Sequence, residues 1–158
     1  MTVIEKIKAE LKSFEEKKTA FLAELQKEFP TMFKELFEKS KRITSIGWTQ
    51  YTPYFNDGDT CEFSINVDDL YVNGEYEDEI EWLDWRMKYI LAGDGDTDKY
   101  KEQLKDKELD YEEYKVLCEF KSVLQSIPEE FYKDLFGDHV QVTIKSDGTI
   151  NKEEYEHD

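Results

Sequence analysis

Two stretches of this chain carry carboxylates at spacings that could hold a cation. Asp94, Asp96 and Asp98 fall on the first three ligand positions of an EF-hand loop, whose alternating oxygens wrap calcium. The sixth position of that loop needs glycine for a sharp turn and is Lys99; the twelfth needs a bidentate glutamate and is Lys105. Asp147 to Glu154 matches the second half of such a loop, but its first and third positions are Thr143 and Lys145. Each stretch is half a site, so the expectation is no metal and no cofactor. Acid–base chemistry has equally thin material. His139 and His157 are the only histidines, and a close pair such as Asp57/Asp59 arises from composition alone in a chain with 38 acids. There is no glycine-rich phosphate loop, His–Glu zinc motif or Gly-x-Ser-x-Gly elbow. The expected class is therefore a non-enzymatic binder.

The densest run of specific side chains is Trp48-Thr49-Gln50-Tyr51-Thr52-Pro53-Tyr54-Phe55-Asn56-Asp57-Gly58-Asp59-Thr60-Cys61-Glu62-Phe63. Pro53 holds Thr52 extended, which could display Tyr51 and Tyr54 in a fixed relation. Asn56-Asp57-Gly58-Asp59 is also ordinary turn chemistry, and the rings could equally pack beneath the loop. This segment resembles one found in small bacteriophage proteins. The resemblance covers about a tenth of the chain and implies a phage protein made in the bacterial cytoplasm, in a class whose members resemble inhibitors of host functions, defence systems included. It assigns no role to any residue.

Charge is the second signal. The formal net charge is −17, unevenly spread. Residues 1–42 hold ten Lys/Arg against eight Asp/Glu, whereas residues 43–98 hold only Arg86 and Lys88 against fourteen acids. Such a field disfavours nucleic acid and anionic membranes as partners and favours a basic protein. The acids expected to meet that partner are Asp57, Asp59, Asp68, Asp69, Glu77, Asp78, Glu79 and Glu81; side by side on a helix they could mimic phosphates. The same acidity could serve solubility alone. An alternative is a small-molecule or nucleotide binder that uses Tyr51, Tyr54, Trp82 and Trp85 as a stacking pocket.

The elements that must position these residues read as an α+β fold on a single domain, residues 1–158, with a frayed tail from about 153. Ile4, Ile7, Leu11, Phe14, Phe21 and Leu25 recur at spacings of three and four, interrupted by Lys18, and predict a helix over 3–28. This seam could lie on the core, the favoured reading, or pair with a second helix. Pro30 is expected to end the helix and open a short one from Met32 to Ser40. Strands follow over 43–51, 60–67 and 70–72, a three-stranded meander with Asp68-Asp69 as its second turn and a close approach at Gly47. Asn73 is expected to cap a helix from Glu75 to Leu91, stopped by Gly93. A weak helix to Lys107 comes next, then one with an Asp110/Glu113 capping box to Ser126, and a short one opened by Pro128. Val140, Val142 and Ile144 alternate into a hairpin through Ser146-Asp147-Gly148-Thr149. Cys61 and Cys118 are read as reduced thiols. With no export signal and no long apolar run, the expected location is the cytoplasm.

Overall fold

The computed structural model describes residues 2–55 and 57–157, the side chain of Glu108 excepted. It is an α+β arrangement: a long N-terminal helix, four further helices and a five-stranded antiparallel sheet.

Helix α1 (Val3–Lys39) begins at a capping box: the Thr2 hydroxyl accepts from the Glu5 N–H, and the Glu5 carboxylate accepts from the Thr2 N–H. Pro30 does not end it; the helix runs straight through. Phe29, Phe33, Leu36 and Phe37 are all buried on either side of the proline. At ~2 kcal/mol of burial each, they outweigh the ~3 kcal/mol that an interior proline costs.

Strand β1 (Ser45–Tyr51) is the centre of the sheet, flanked by β2 (Ser64–Val72) and β4 (Val140–Lys145), with β3 (Glu75–Tyr76) and β5 (Ile150–Glu154) at the edges. Ile46, Trp48 and Gln50 face the helices. At Gly47 an added Cβ would lie 3.1 Å from Thr143 Oγ1 and 3.2 Å from the Val142 carbonyl, the expected close approach. Ile65 and Val67 are buried and Cys61 and Phe63 half-buried, while Thr60, Glu62 and Ser64 are exposed, so the alternation has the predicted hand. The strand starts only at Ser64, however. Ser64 pairs with the last residue of β1, and beyond it Thr52 turns away to Asp138, so the β1–β2 ladder ends there.

Asp68-Asp69 is not a turn between strands but a bulge within β2. Pairing with β1 holds from Ser64 to Asn66, lapses, and resumes at Tyr71 and Val72. Val67 and Leu70 both dip into the core, which expels the two aspartates between them. The real turn is Asn73-Gly74, both at positive φ (55° and 87°), the residue pair that favours a two-residue hairpin. Asn73 therefore caps no helix. Its carbonyl oxygen accepts from the N–H groups of Thr44 and Ser45, and its amide donates to the Arg42 carbonyl.

The helix expected from Glu75 is replaced by β3, one 3-10 turn (Glu77–Glu79), an irregular stretch, and α2 (Arg86–Ala92), closed by Gly93 in the left-handed region. Five acids within seven residues repel at helical spacings, and the irregular path lets Ile80, Trp82 and Leu83 all reach the core. Helix α3 (Thr97–Gln103) stops short of Lys107, and α4 (Glu108–Ser126) starts ahead of the anticipated box. Asp110 and Glu113 act as tethers instead: Asp110 pairs with Arg42, and the buried Glu113 accepts from Ser40 and from the Lys41 N–H. Helix α5 (Glu129–Phe136) follows Pro128. The main core lies between the sheet and α1, α4 and α5; a smaller cluster of Met87, Leu104 and Tyr114 joins α2 and α3 to α4. The tail is not frayed where expected: β5 reaches Glu154, and the Tyr155 N–H donates to the His139 carbonyl at 2.8 Å. Among the described residues no helix is long and apolar enough to cross a membrane.

Candidate functional site

The bulge, the 3-10 turn and α2–α3 enclose an open cleft of about 1190 Å³. Five of the eight acids named from the sequence line it: Asp68 and Asp69 from the bulge, Glu77 and Asp78 from the 3-10 turn, and Glu81 beyond it. Trp85, Lys88, Lys99 and Tyr100 line the same cleft.

Two carboxylates at the base are fixed by ion pairs. Glu77 meets Lys121 of α4 at 2.7 Å and accepts from the Leu70 N–H at 3.2 Å. Burial pushes its pKa up, only partly countered by Lys121. Asp84 takes a two-pronged contact from the Arg86 guanidinium, accepts from the Arg86 N–H, and lies 3.7 Å from Lys107. The guanidinium hydrogen bonds hold its carboxyl at about 2. Arg86 in turn donates to the side-chain Oε1 of Gln103 at 2.7 Å. What remains toward solvent is Asp68, Asp69, Asp78 and Glu81, all exposed and without an ion-pair partner among the described residues. Trp85, 61% exposed, stands beside them and meets Tyr89 and Tyr100 edge-on. Glu79 opens instead onto an adjoining groove on the helix-free face of the sheet, with Asp69, Asp78, Tyr76 and Tyr155.

Asp57 and Asp59 are not part of this cleft. They sit on the loop after β1, whose base is clamped where the Thr52 N–H and hydroxyl donate to the two oxygens of Asp138, each at 2.7 Å. Burial raises the Asp138 pKa, but these donors and His139 outweigh it and leave the carboxyl below its ordinary range. Asn56 lies outside the described residues. The question of display against packing divides by residue. Tyr51 is half-buried and stacks on His157 at 3.8 Å; Tyr54 stacks on His157 and His139 at 4.3 and 5.0 Å yet stays 64% exposed, and Phe55 beside it is 79% exposed. Nδ1 of His139 and Nε2 of His157 share a hydrogen bond at 2.7 Å.

The four rings proposed as one stacking pocket are thus in separate places. Tyr51 ends β1 and Tyr54 follows it; Trp82 lies against the Arg42 guanidinium just before the N-terminal end of that strand, and Trp85 lines the cleft. The half-matched calcium loops also have local duties: Asp96 caps α3 through the Lys99 N–H, and Asp147 accepts from the Thr149 N–H in the hairpin turn. Among the described residues no group of three or more His, Cys, Asp or Glu is placed to hold a metal ion. Sequence reasoning missed Asp84, Lys88, Lys99 and Tyr100 as parts of the cleft, and Lys121 as the ion-pair partner of Glu77; none carries a local pattern, and the packing of α2 and α3 on α4 brings the cleft residues together. Set against protein-family models, curated proteins and solved structures, the chain matches none.

Proposed function

We propose that this chain is a non-enzymatic acidic binding protein whose cleft engages a basic surface of a partner protein. The observation that carries the reading is the convergence of Asp68, Asp69, Asp78 and Glu81 on one open surface, without an ion-pair partner among the described residues, while Glu77 and Asp84 are neutralised. Carboxylates held this way on a bulge and a tight turn lose little freedom when a cation docks, and the exposed Trp85 beside them offers a flat face for the stem of an arginine or lysine. Lys88 and Lys99, which line the same cleft, bias it toward a dipolar or mixed-charge surface.

The resemblance of the Trp48–Phe63 segment to small bacteriophage proteins gives this reading a setting: an inhibitor of a host nucleic-acid-binding or defence protein, its carboxylates taking the place of phosphates. The test is capture from bacterial lysate with tagged wild type and an Asp68→Asn/Asp78→Asn/Glu81→Gln variant. A basic protein retained by the first and lost by the second, with affinity falling as salt rises, supports the reading. Equal capture by both assigns the acidity to solubility.

A further inference from the structure

We infer that the N-terminal half of α1 is a dimerisation arm that pairs antiparallel with the same segment of a second copy. The apolar stripe of α1 is broken at Lys18, and the domain covers only its C-terminal part. Phe29 and Phe33 are almost fully buried, whereas Ile4, Ile7, Leu11 and Phe14, on the same stripe, are 66%, 51%, 58% and 68% exposed. This corrects the reading that the whole seam lies on the core. Contact with the rest of the fold begins at Lys18, which meets Asp134 at 3.3 Å, and Phe21, which meets Phe131 edge-on. Residues 3–17 therefore project as about 22 Å of helix with a bare apolar face. A helix of that length is marginal in water unless its apolar face is packed.

The pattern says what packs there. With Ile4, Leu11 and Lys18 at heptad a positions and Ile7, Phe14 and Phe21 at d, the flanking e and g positions hold Lys8 and Glu15, and Glu10 and Lys17. An antiparallel pair centred between residues 12 and 13 stacks Ile4 on Phe21, Ile7 on Lys18 and Leu11 on Phe14 of the other copy. It sets Lys8 against Glu15 and Glu10 against Lys17, each twice by symmetry. Shifting the register by one heptad in either direction brings Glu10 to Glu10 and Lys8 to Lys8, or Glu15 to Glu15 and Lys17 to Lys17. A parallel pair sets Glu10 against Glu15. One arrangement alone matches apolar layers and flanking charge together, and Lys18, the polar residue in the seam, already has Asp134 as its counter-ion.

Sedimentation equilibrium of the full chain tests this over roughly 1–100 µM, the range in which a short helix pair associates. The expected result is a species of twice the 18.9 kDa chain mass. Leu11→Asp should give a monomer while tryptophan fluorescence is unchanged, since Leu11 is exposed on the projecting part of α1. Orientation is read from charge: Glu15→Lys sets lysines against Lys8 and should weaken the dimer about tenfold, and adding Lys8→Glu should restore it to within about threefold. A monomer throughout, or a dimer indifferent to Leu11→Asp, overturns the inference. Tightening by Glu15→Lys overturns the antiparallel arrangement, because only a parallel pair sets residue 15 against Glu10.

Discussion

Gln50 is the residue whose replacement should be felt most for its size. It is fully buried on the core face of β1, and all of its amide is committed: the side-chain oxygen accepts from Trp48 Nε1 at 2.9 Å, and the nitrogen donates to the carbonyls of Tyr132 (2.9 Å) and Gly137 (2.7 Å). These bonds tie the central strand to the end of α5 and to the turn that carries Asp138. Gln50→Leu keeps the volume but leaves one buried N–H and two buried carbonyls without this partner. At ~1–3 kcal/mol per stranded group, and taking the low end because a carbonyl has a second lone pair, the loss is about 3–4 kcal/mol. That is a large part of the ~5–15 kcal/mol typical of a domain. Urea unfolding followed by tryptophan fluorescence should show the midpoint falling by roughly 1–3 M. Gln50→Glu adds a pH signature. Its carboxylate would face two carbonyl oxygens, so its folded pKa is raised; the variant should gain stability as pH falls and lose it as pH rises through that folded pKa. A Gln50→Leu midpoint equivalent to within ~0.5 kcal/mol of wild type would refute the reasoning, since that is the scatter of surface substitutions.

Lys121→Met should cost about 2 kcal/mol at pH 7 by leaving the half-buried Glu77 carboxylate without its cation. The deficit should shrink as pH falls, because a carboxyl whose folded pKa is raised is stabilised by protonation; thermal melts across pH 4–8 check this (window set from the ordinary carboxyl range). Asp84 has the opposite sign. Its folded pKa of about 2 lies below the ordinary aspartate value of 3.8, so its contribution is present above the unfolded value and lost as pH falls through the folded one. Asp84→Asn should therefore destabilise by about 1–2 kcal/mol at neutral pH and by much less near pH 2, read by acid titration of both proteins.

How much of this was legible follows from how local each signal is. The stripe of α1, the alternation of Val140, Val142 and Ile144 and the close approach at Gly47 are periodicities within one segment, and the structure follows them. Pro30 was misleading because its local rule is overruled by four buried side chains that belong to the tertiary core. Asn73-Gly74 carried a correct hairpin signal that the acids after it disguised as a helix start. Asp68-Asp69 was identified as an interruption, but a turn and a bulge have the same sequence when apolar residues stand on both sides. The cleft was half legible. Its acids are close in sequence, whereas Glu77 owes its place to Lys121 on another helix, and Asp57 and Asp59, near them in sequence, belong to the opposite end of β1.

The central claim is that the exposed acids of the cleft recognise a cationic protein surface. It is tested most directly by titrating the captured partner into wild type and into Asp68→Asn/Asp78→Asn/Glu81→Gln by calorimetry at several salt concentrations. Glu77 and Asp84 are left intact because they hold the cleft together. The account predicts an unchanged melting temperature, a loss of affinity of ~2–5 kcal/mol, and a shallower salt slope in the variant. The same affinity and the same salt slope in both proteins would contradict it.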